Sequence, residues 1–341
     1  MSRTKILAAA TAALMLSAAP AFAQSACPAL KQLAEVKLTR SASGQFLAPV
    51  TINGTKKQML LATGVDVSNI RPSVAEELKL PLREGRTEVN VGSAPLGGAG
   101  VLSGQTGIRS IPNNDRLAHI DGFGLGTVQS GQGDLLVAAP DTDSDRTRAG
   151  ALGMDILKHV DFDLDLGNSA LNLFAPDHCA GQVVYWKTSN ALALPFTYDS
   201  KGRIRIPVQL DGVTLNALID TSETQDVVNL DVAKAKLKFS ETGAQKMADQ
   251  AGTGAKNYNG RFGKLSLDGI DISNLQAVVR EDKVKRPNNF GDVKIGSSIR
   301  QNAEDNREPD FTLGLSTLSK LHIYVASKEM KLYISPASPA K

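Results

Sequence analysis

The feature that most constrains the fold is an internal repeat. Residues 49–64 align without a gap with residues 207–222, which lie 158 positions later in the chain. Residues 152–157 match residues 313–318 at a similar spacing of 161 positions. Similar segments that recur in the same order indicate two related structural units in tandem.

Both units have the patterns of β-strands joined by tight turns. Short runs of β-favouring residues flank Asn53-Gly54 in the first unit and Asp211-Gly212 in the second. Asn-Gly and Asp-Gly are strong signals of two-residue hairpins. The sequence therefore predicts an all-β protein built from hairpins.

A short helix is predicted after each hairpin, over residues 73–78 and 231–237. Each segment begins with a residue type that caps helix N-termini well, Ser73 and Asp231 respectively. These helices complete the predicted fold class, which is all-β with short helices.

The repeat also gives the predicted domain boundaries. At 341 residues the chain can bury two cores of ordinary domain size. We predict an N-terminal lobe over residues 24–175, a linker over 176–195 and a C-terminal lobe over 196–341. A cleft is expected where the two tandem lobes meet.

The N-terminus has the pattern of an export signal. Arg3 and Lys5 precede an apolar stretch over residues 6–16, and a small-x-small cleavage pattern follows at residues 21–23. This predicts a signal peptide over residues 1–23 and a periplasmic or secreted mature protein, with an uncleaved anchor as the alternative. The stretch is too short for a permanent transmembrane helix, and no later run predicts a stable membrane span.

The two cysteines would both remain after cleavage of the signal peptide. In an oxidising compartment, Cys27 and Cys179 could form a disulfide that ties the mature N-terminus to the linker. The alternative is two unpaired thiols, and the sequence leaves both open.

Composition and spacing argue against several functions. The net charge of +3 is small, so no nucleic-acid partner is indicated. The four histidines show no metal-ligand spacing, and neither a metal nor a cofactor is predicted. Asp161, Asp163 and Asp165 alternate with apolar residues, which favours a strand with one wet face over a calcium loop.

One pattern of residues in the sequence indicates a candidate catalytic site. Two apolar residues lead into Asp220-Thr221-Ser222, and the later segment 313–314 is Leu-Gly. Retropepsin-like and pepsin-like proteases pair an Asp-Thr-Gly loop with an apolar-apolar-Gly strand that packs across it. Together with the repeated strands, this pairing resembles the two-lobed bacterial members of that family over essentially the whole mature sequence.

The resemblance implies a cleft whose floor is formed by one loop from each lobe. In such proteases two aspartates share a proton and activate water, while the threonine of each loop braces the lobe interface. Here Asp220 would be the cleft carboxylate, and Thr63 would be the threonine that pairs with Thr221. The chain departs from the family at Ala62, which aligns with Asp220, and at Ser222, which aligns with Gly64.

Two further features are expected to lie near the cleft. Asp66 follows Ala62 by four positions, but it would sit on the far arm of the loop and is not expected to replace the missing carboxylate. The glycine-rich segment 92–107 is either a flap over a bound peptide, as the resemblance implies, or a surface loop without function.

Three functions are consistent with these patterns. The first is an inactive or impaired aspartyl protease homologue whose cleft still binds peptide or protein. The second is an active aspartic peptidase that uses Asp220 with an unrecognised partner, including one across a homodimer. The third is a non-catalytic envelope interaction protein. The loss of a carboxylate at Ala62 favours the first, and the oligomeric state is left open.

Overall fold

The structure is a computed structural model, and it describes residues 27–91, 107–138, 147–188, 190–248, 254–282 and 309–337. The predicted signal peptide and residues 92–106 of the glycine-rich segment lie outside these ranges.

Most of the described chain is β-strand, and each helix is short. The strands are β1 (Gln32–Lys37), β2 (Thr39–Arg40), β3 (Phe46–Ile52), β4 (Thr55–Leu61), β5 (Asn69–Ile70), β6 (Leu82–Val91), β7 (Gly107–Ile120), β8 (Phe123–Leu125), β9 (Val128–Ser130), β10 (Gly133–Val137), β11 (Gly150–Leu152), β12 (Asp161–Asp165), β13 (Ala170–Phe174), β14 (Leu192–Pro195), β15 (Thr197–Tyr198), β16 (Ile204–Leu210), β17 (Val213–Ile219), β18 (Val227–Asn229), β19 (Lys246–Met247), β20 (Asn257–Leu267), β21 (Ile270–Arg280), β22 (Phe311–Leu313), β23 (Leu321–Ala326) and β24 (Lys331–Pro336). The helices are α1 (Pro72–Glu77), α2 (Met154–Leu157), α3 (Leu230–Lys236) and α4 (Leu315–Leu318), with a 3₁₀ helix over Leu166–Asn168. The predicted all-β class with short helices is confirmed.

The described strands form three sheets. The first, drawn from the N-terminal half, runs β6-β7-β10-β5-β11-β4-β3-β8-β9, and β2 pairs with β3. The second, drawn from the C-terminal half, runs β15-β16-β17-β22-β18-β21-β20-β19. The third runs β1-β13-β12-β23-β24-β14 and takes strands from both halves. We call it the shared sheet.

The first two sheets contain the same central arrangement in the same register. Each begins with a hairpin, β3–β4 or β16–β17, whose turn residues Asn53-Gly54 and Asp211-Gly212 all have positive φ. That backbone matches the two-residue turn expected from the sequence. The second strand of each hairpin pairs in parallel with a short later strand, β4 with β11 and β17 with β22. The sequence repeat therefore corresponds to a repeated three-dimensional unit.

The shared sheet joins the two units. β12 of the first unit pairs with β23 of the second, with Phe162 opposite Val325 and Leu164 opposite Ile323. All four side chains are buried in one core that also includes residues of both other sheets. The last part of the predicted linker is β14, which pairs with β24. The units are thus held together by a continuous hydrogen-bonded sheet, while the domain boundaries stay a prediction.

The predicted helices lie one residue earlier than expected, and the residues that cap them differ. The residue before α1 is Arg71, whose side chain makes no capping bond. The residue before α3 is Asn229, whose side chain accepts hydrogen bonds from the backbone N–H groups of Asp231 and Val232. The prediction that Ser73 and Asp231 start the helices is wrong, because a better placed asparagine and a proline at the start of α1 set the ends.

The prediction of a wet face on β12 is also wrong. Asp161 and Asp163 are completely buried, because the chain between β13 and β14 folds over that face. His178 from this covering segment lies 2.6 Å from the Asp161 carboxylate through its Nε2 atom. Alternation of polar and apolar residues predicted the strand, but it could not show that another segment would cover the polar side.

Cys27 and Cys179 form a disulfide in the structure. The bond attaches the segment before β1 to the covering segment that carries His178, and it closes a separation of 152 residues. No helix in the described part of the chain combines the length and apolar character needed to cross a bilayer.

Replacing both cysteines by serine is expected to lower the free energy of unfolding by about 2–5 kcal/mol, because the cross-link restricts the unfolded chain. Urea denaturation of the oxidised protein, the reduced protein and the Cys27→Ser/Cys179→Ser variant measures this. The reduced protein and the variant should have the same midpoint. Equal midpoints for all three proteins would show that the bond does not stabilise the fold.

Candidate active site

The loops that follow β4 and β17 are placed in the same way in the two units. The backbone N–H of Ala62 donates to the Leu152 carbonyl at 3.0 Å, and the N–H of Asp220 donates to the Leu313 carbonyl at 3.0 Å. Each loop thus begins beside the strand that carries the Leu-Gly element, as the sequence pattern predicted. This packing gives both loops the same starting direction.

Two threonines tie the loops to each other. The Thr63 hydroxyl donates to the Ile219 carbonyl at 2.9 Å and accepts from the Thr221 N–H at 3.1 Å. The Thr221 hydroxyl donates to the Leu61 carbonyl at 2.6 Å and accepts from the Thr63 N–H at 3.1 Å. Both threonines are fully buried. The hydrogen bonds have the same pattern in both directions, so the two loops are related by an approximate twofold axis.

Asp220 lies at this crossing point and is only 8% exposed. Its Oδ1 atom accepts from the Ser222 backbone N–H at 2.8 Å and from the Ser222 hydroxyl at 2.6 Å. Its carboxyl group lies directly over Gly64 of the other loop. A Cβ atom on Gly64 would come within 2.1 Å of the Asp220 Cγ and Oδ2 atoms. A side chain at position 64 would therefore displace the Asp220 carboxyl group from its present position.

The surroundings favour the neutral form of Asp220. Burial raises the pKa of the Asp220 carboxyl above its usual range, and the nearby negative charge of Glu223 adds to this. Hydrogen bonds from Ser222 and from the Gly64 N–H act in the opposite direction. The net result is a buried acid that binds its proton more tightly than a free aspartate does.

Ala62 occupies the position that corresponds to Asp220. It is fully buried and packs in an apolar cluster with Leu47, Leu60 and Ala151. Asp66 lies further along the loop, where its Oδ1 atom accepts from the N–H of its own neighbour Val67 in an exposed contact. The described site therefore contains the Asp220 carboxyl group on one side and a methyl group on the other.

A second set of contacts behind the loops was missed by the sequence analysis. In the first unit the Asp155 Oδ1 atom accepts from the Ser68 N–H at 2.9 Å and from the Ser68 hydroxyl at 2.6 Å. In the second unit the roles are exchanged, since the Ser316 hydroxyl accepts from the Asp226 N–H at 3.0 Å. Asp226 also accepts from the Gly314 N–H at 2.8 Å. The repeat spacings align these positions, so the exchange could have been found from the sequence.

Asp226 is a second buried carboxyl group, but it has a supporting role. Burial raises its pKa, while hydrogen bonds from Thr317 and Gly314 oppose the shift. Both of its oxygens have donors, because Gly314 donates to Oδ1 and the Thr317 hydroxyl donates to Oδ2 at 2.7 Å. Asp226 therefore fixes the loop against α4.

Two further side chains, Gln45 and Arg280, form hydrogen bonds with residues of the Asp220 loop. Gln45 of the first unit donates through Nε2 to the Ser222 carbonyl at 2.5 Å. Arg280 binds Glu223 through two hydrogen bonds, at 2.6 and 3.2 Å. Among the residues that the structure describes, no group of three or more His, Cys, Asp or Glu residues could hold a metal ion. The chemistry of the site thus rests on side-chain hydrogen bonding around Asp220.

Two related β-rich units whose threonine loops cross at one buried point form an acid-protease-like fold. Residues 206–327, which include β17, the Asp220 loop and β22, match the family model described as aspartyl protease. The second unit is therefore similar to aspartyl proteases, and the predicted resemblance holds at that level.

Two solved structures are similar to the chain at low identity. Basic 7S globulin from soybean is 11% identical with a TM-score of 0.49, and the match covers 91% of this chain and 97% of that one. A retropepsin-like aspartic protease from Rickettsia conorii is 14% identical with a TM-score of 0.29, and the match covers 44% of this chain and 96% of that one. No curated protein matches the chain.

Replacing Thr221 by valine is expected to destabilise the protein, because the buried Leu61 carbonyl loses its donor and the Thr63 N–H loses its acceptor. Each unsatisfied buried group costs about 1–3 kcal/mol. Chemical denaturation of Thr221→Val, Thr221→Ser and the exposed control Thr214→Val measures the difference. Serine keeps the hydroxyl and should lose much less stability than valine. A larger loss for serine than for valine at position 221 would show that the methyl packing, and not the hydroxyl, holds the loops.

Proposed function

We propose that this chain is a non-cleaving homologue of the aspartyl proteases that binds extended peptide segments at the crossing point of the two loops. The observation that carries the proposal is Ala62, a buried methyl group at the position that corresponds to Asp220. Hydrolysis of an amide at such a site needs one ionised and one neutral carboxyl group close together. A single carboxyl group cannot supply both the base and the acid.

The size of the expected loss also supports a binding role. Removing one member of a cooperating catalytic set typically lowers the rate about as much as removing the whole set, by several orders of magnitude. The neutral form of Asp220 can still donate a hydrogen bond to a peptide carbonyl. The raised pKa of Asp220 extends the pH range over which that donor is present.

The chain departs from the aspartyl protease pattern at Ala62 and at Ser222, and we infer that the two departures depend on each other. The Asp220 carboxyl group lies over Gly64, where a Cβ atom would clash at 2.1 Å. The approximate twofold axis relates Asp220 to Ala62 and Gly64 to Ser222, so an aspartate at position 62 would lie over Ser222. The Ser222 Cβ atom would then occupy the space that this carboxyl group needs. Ser222 is compatible with the fold because residue 62 is alanine.

We also propose that the two units arose by duplication and that the protein works outside the cytoplasm. The recurrence of the hairpins and of the parallel strand pairs in one register supports the duplication. The disulfide between Cys27 and Cys179 supports export, because such bonds persist in oxidising compartments.

The first test is restoration of activity. Ala62→Asp alone is expected to leave the protein inactive, whereas Ala62→Asp/Ser222→Gly should cleave peptides faster than the unmodified protein by on the order of 10³-fold or more. A quenched-fluorescence peptide library at acidic to neutral pH measures cleavage, with Ser222→Gly alone as the matched control. Cleavage by the unmodified protein that Asp220→Asn abolishes would show that the protein is an active peptidase with another acid.

The second test is the pH dependence of peptide binding. Asp220 gains its proton as the pH falls through its raised pKa, so the affinity for an extended peptide is expected to rise on acidification. Fluorescence polarisation of a labelled library peptide measures this. Asp220→Asn carries a permanent donor and should bind without that pH dependence. A site that is only a scaffold would show no binding, or binding that Asp220→Asn leaves unchanged at every pH.

A further inference from the structure

A second polar site lies on the shared sheet, apart from the crossing loops. A cavity of about 630 Å³ opens on the face of β1, β13, β12 and β23 that the covering segment borders. Its lining includes Glu35, Lys37, Asp165, Trp186 and His322, and none of the residues of the crossing loops. The volume lies in the range of small-molecule sites, which is about 300–1,000 Å³.

The register of the strands explains why the cavity forms. Lys37 of β1 lies opposite Ala170 of β13, which lies opposite Asp165 of β12. The small Ala170 side chain leaves space between the longer side chains on either side of it. Glu35 lies two residues from Lys37 on β1, so its side chain projects from the same face of the sheet. Acidic groups therefore border a gap whose floor is a methyl group.

His322 is the buried group that makes this gap a candidate site. The residue is 3% exposed, and its Nε2 atom lies 2.7 Å from the Asp163 Oδ1 atom. The contact is an ion-pair distance and not a hydrogen bond, since neither of these two buried atoms has a hydrogen-bond partner among the described residues. Two acceptors would repel each other at this distance, and the Nε2 atom is therefore the protonated nitrogen. In the neutral ring the Nδ1 atom is then the acceptor.

The other groups around Asp163 keep the imidazole in this orientation. The Tyr185 hydroxyl and the Asn172 amide both donate to the Asp163 Oδ2 atom. Burial and the charge of Asp163 raise the pKa of the Tyr185 hydroxyl, so it remains a donor. Trp186 stacks on the His322 ring with centroids 4.1 Å apart. The ring is thus fixed from one face and from its Nε2 side.

The free acceptors of the cavity face the same space. The His322 Nδ1 atom lies 4.0 Å from the Asp165 Oδ2 atom, too far for a hydrogen bond. Within the described ranges, no hydrogen bond reaches Nδ1. Asp165 accepts only from Asn168 of its own turn in the bonds that are resolved, and Glu35 adds a second carboxylate to the lining. Two carboxylates and an imidazole around one space suit a ligand that supplies several N–H groups and a positive charge.

We propose that this cavity binds a small organic cation that carries a primary ammonium group. The ammonium donates to the His322 Nδ1 atom and to the carboxylates of Asp165 and Glu35, and the remainder of the ligand lies against Tyr185 and Trp186. A cation beside aromatic rings gains further attraction from their faces. Lys37, which borders the same cavity, competes for the carboxylates. This site is independent of peptide binding at Asp220.

Trp186 is the only tryptophan of the chain, so its fluorescence reports on this cavity without a label. Titration of the full-length oxidised protein with benzylamine is expected to give a saturable change in Trp186 emission. Benzyl alcohol, which is neutral, and benzoate, which is negatively charged, should give no saturable change in emission. Glu35→Gln or Asp165→Asn is expected to raise the Kd for benzylamine about fivefold or more, as for the loss of about 1 kcal/mol of charge pairing. Lys37→Gln should lower the Kd.

Glu76→Gln is the matched control, since it removes an exposed negative charge on α1 that does not line the cavity. It should leave the Kd unchanged. The proposal is overturned if benzylamine gives no saturable change, if Glu76→Gln weakens binding as much as Glu35→Gln, or if benzoate binds in its place. Because the variants do not touch the crossing loops, their outcome is separate from that of the peptide-binding tests.

Discussion

The crossed contact between Thr63 and Thr221 is the interaction on which the arrangement of the candidate active site depends. Each hydroxyl donates to a strand carbonyl of the other unit and accepts a backbone N–H from the other loop. These groups are buried, so each of them would be costly without its partner. The contact fixes the relative position of the loops to within a hydrogen-bond length. It therefore brings the Asp220 carboxyl group over Gly64.

Once the loops are fixed, the chemistry follows from which side chains lie on either side of the axis. A pair of carboxyl groups here would share a proton and act as one acid–base unit. The chain instead combines Asp220 with Ala62, so Asp220 has no partner acid, and its pKa is raised by burial and by the nearby charge of Glu223. By the twofold relation of the loops, the Ser222 Cβ atom would occupy the space that a carboxyl group at position 62 needs. The two departures therefore concern the same contact between the loops.

The shared sheet has a different role, because it carries charge as well as apolar packing. One of its faces belongs to the common core, while the other face carries Asp161 and Asp163. Burying carboxylates is costly unless they are paired and hydrogen-bonded. His178 and His322 supply the partners, one from the covering segment and one from the second unit. The disulfide from Cys179 holds the covering segment in place beside them. The buried polar groups thus link the two units and leave one imidazole nitrogen open to the cavity.

The sequence by itself determined the local units of this protein. The repeat, the Asn-Gly and Asp-Gly turns and the alternation of apolar residues were enough to predict the hairpins, the strands after them and the loops at Ala62 and Asp220, because these features depend on neighbouring residues. The tertiary structure decided what those units contact. It buried the predicted wet face of β12, paired Cys27 with Cys179 and placed Gly64 under the Asp220 carboxyl group. The disulfide and the contact between Gly64 and Asp220 join residues more than 100 positions apart, and the backbone path that brings them together is set by packing of the whole core and not by local preference.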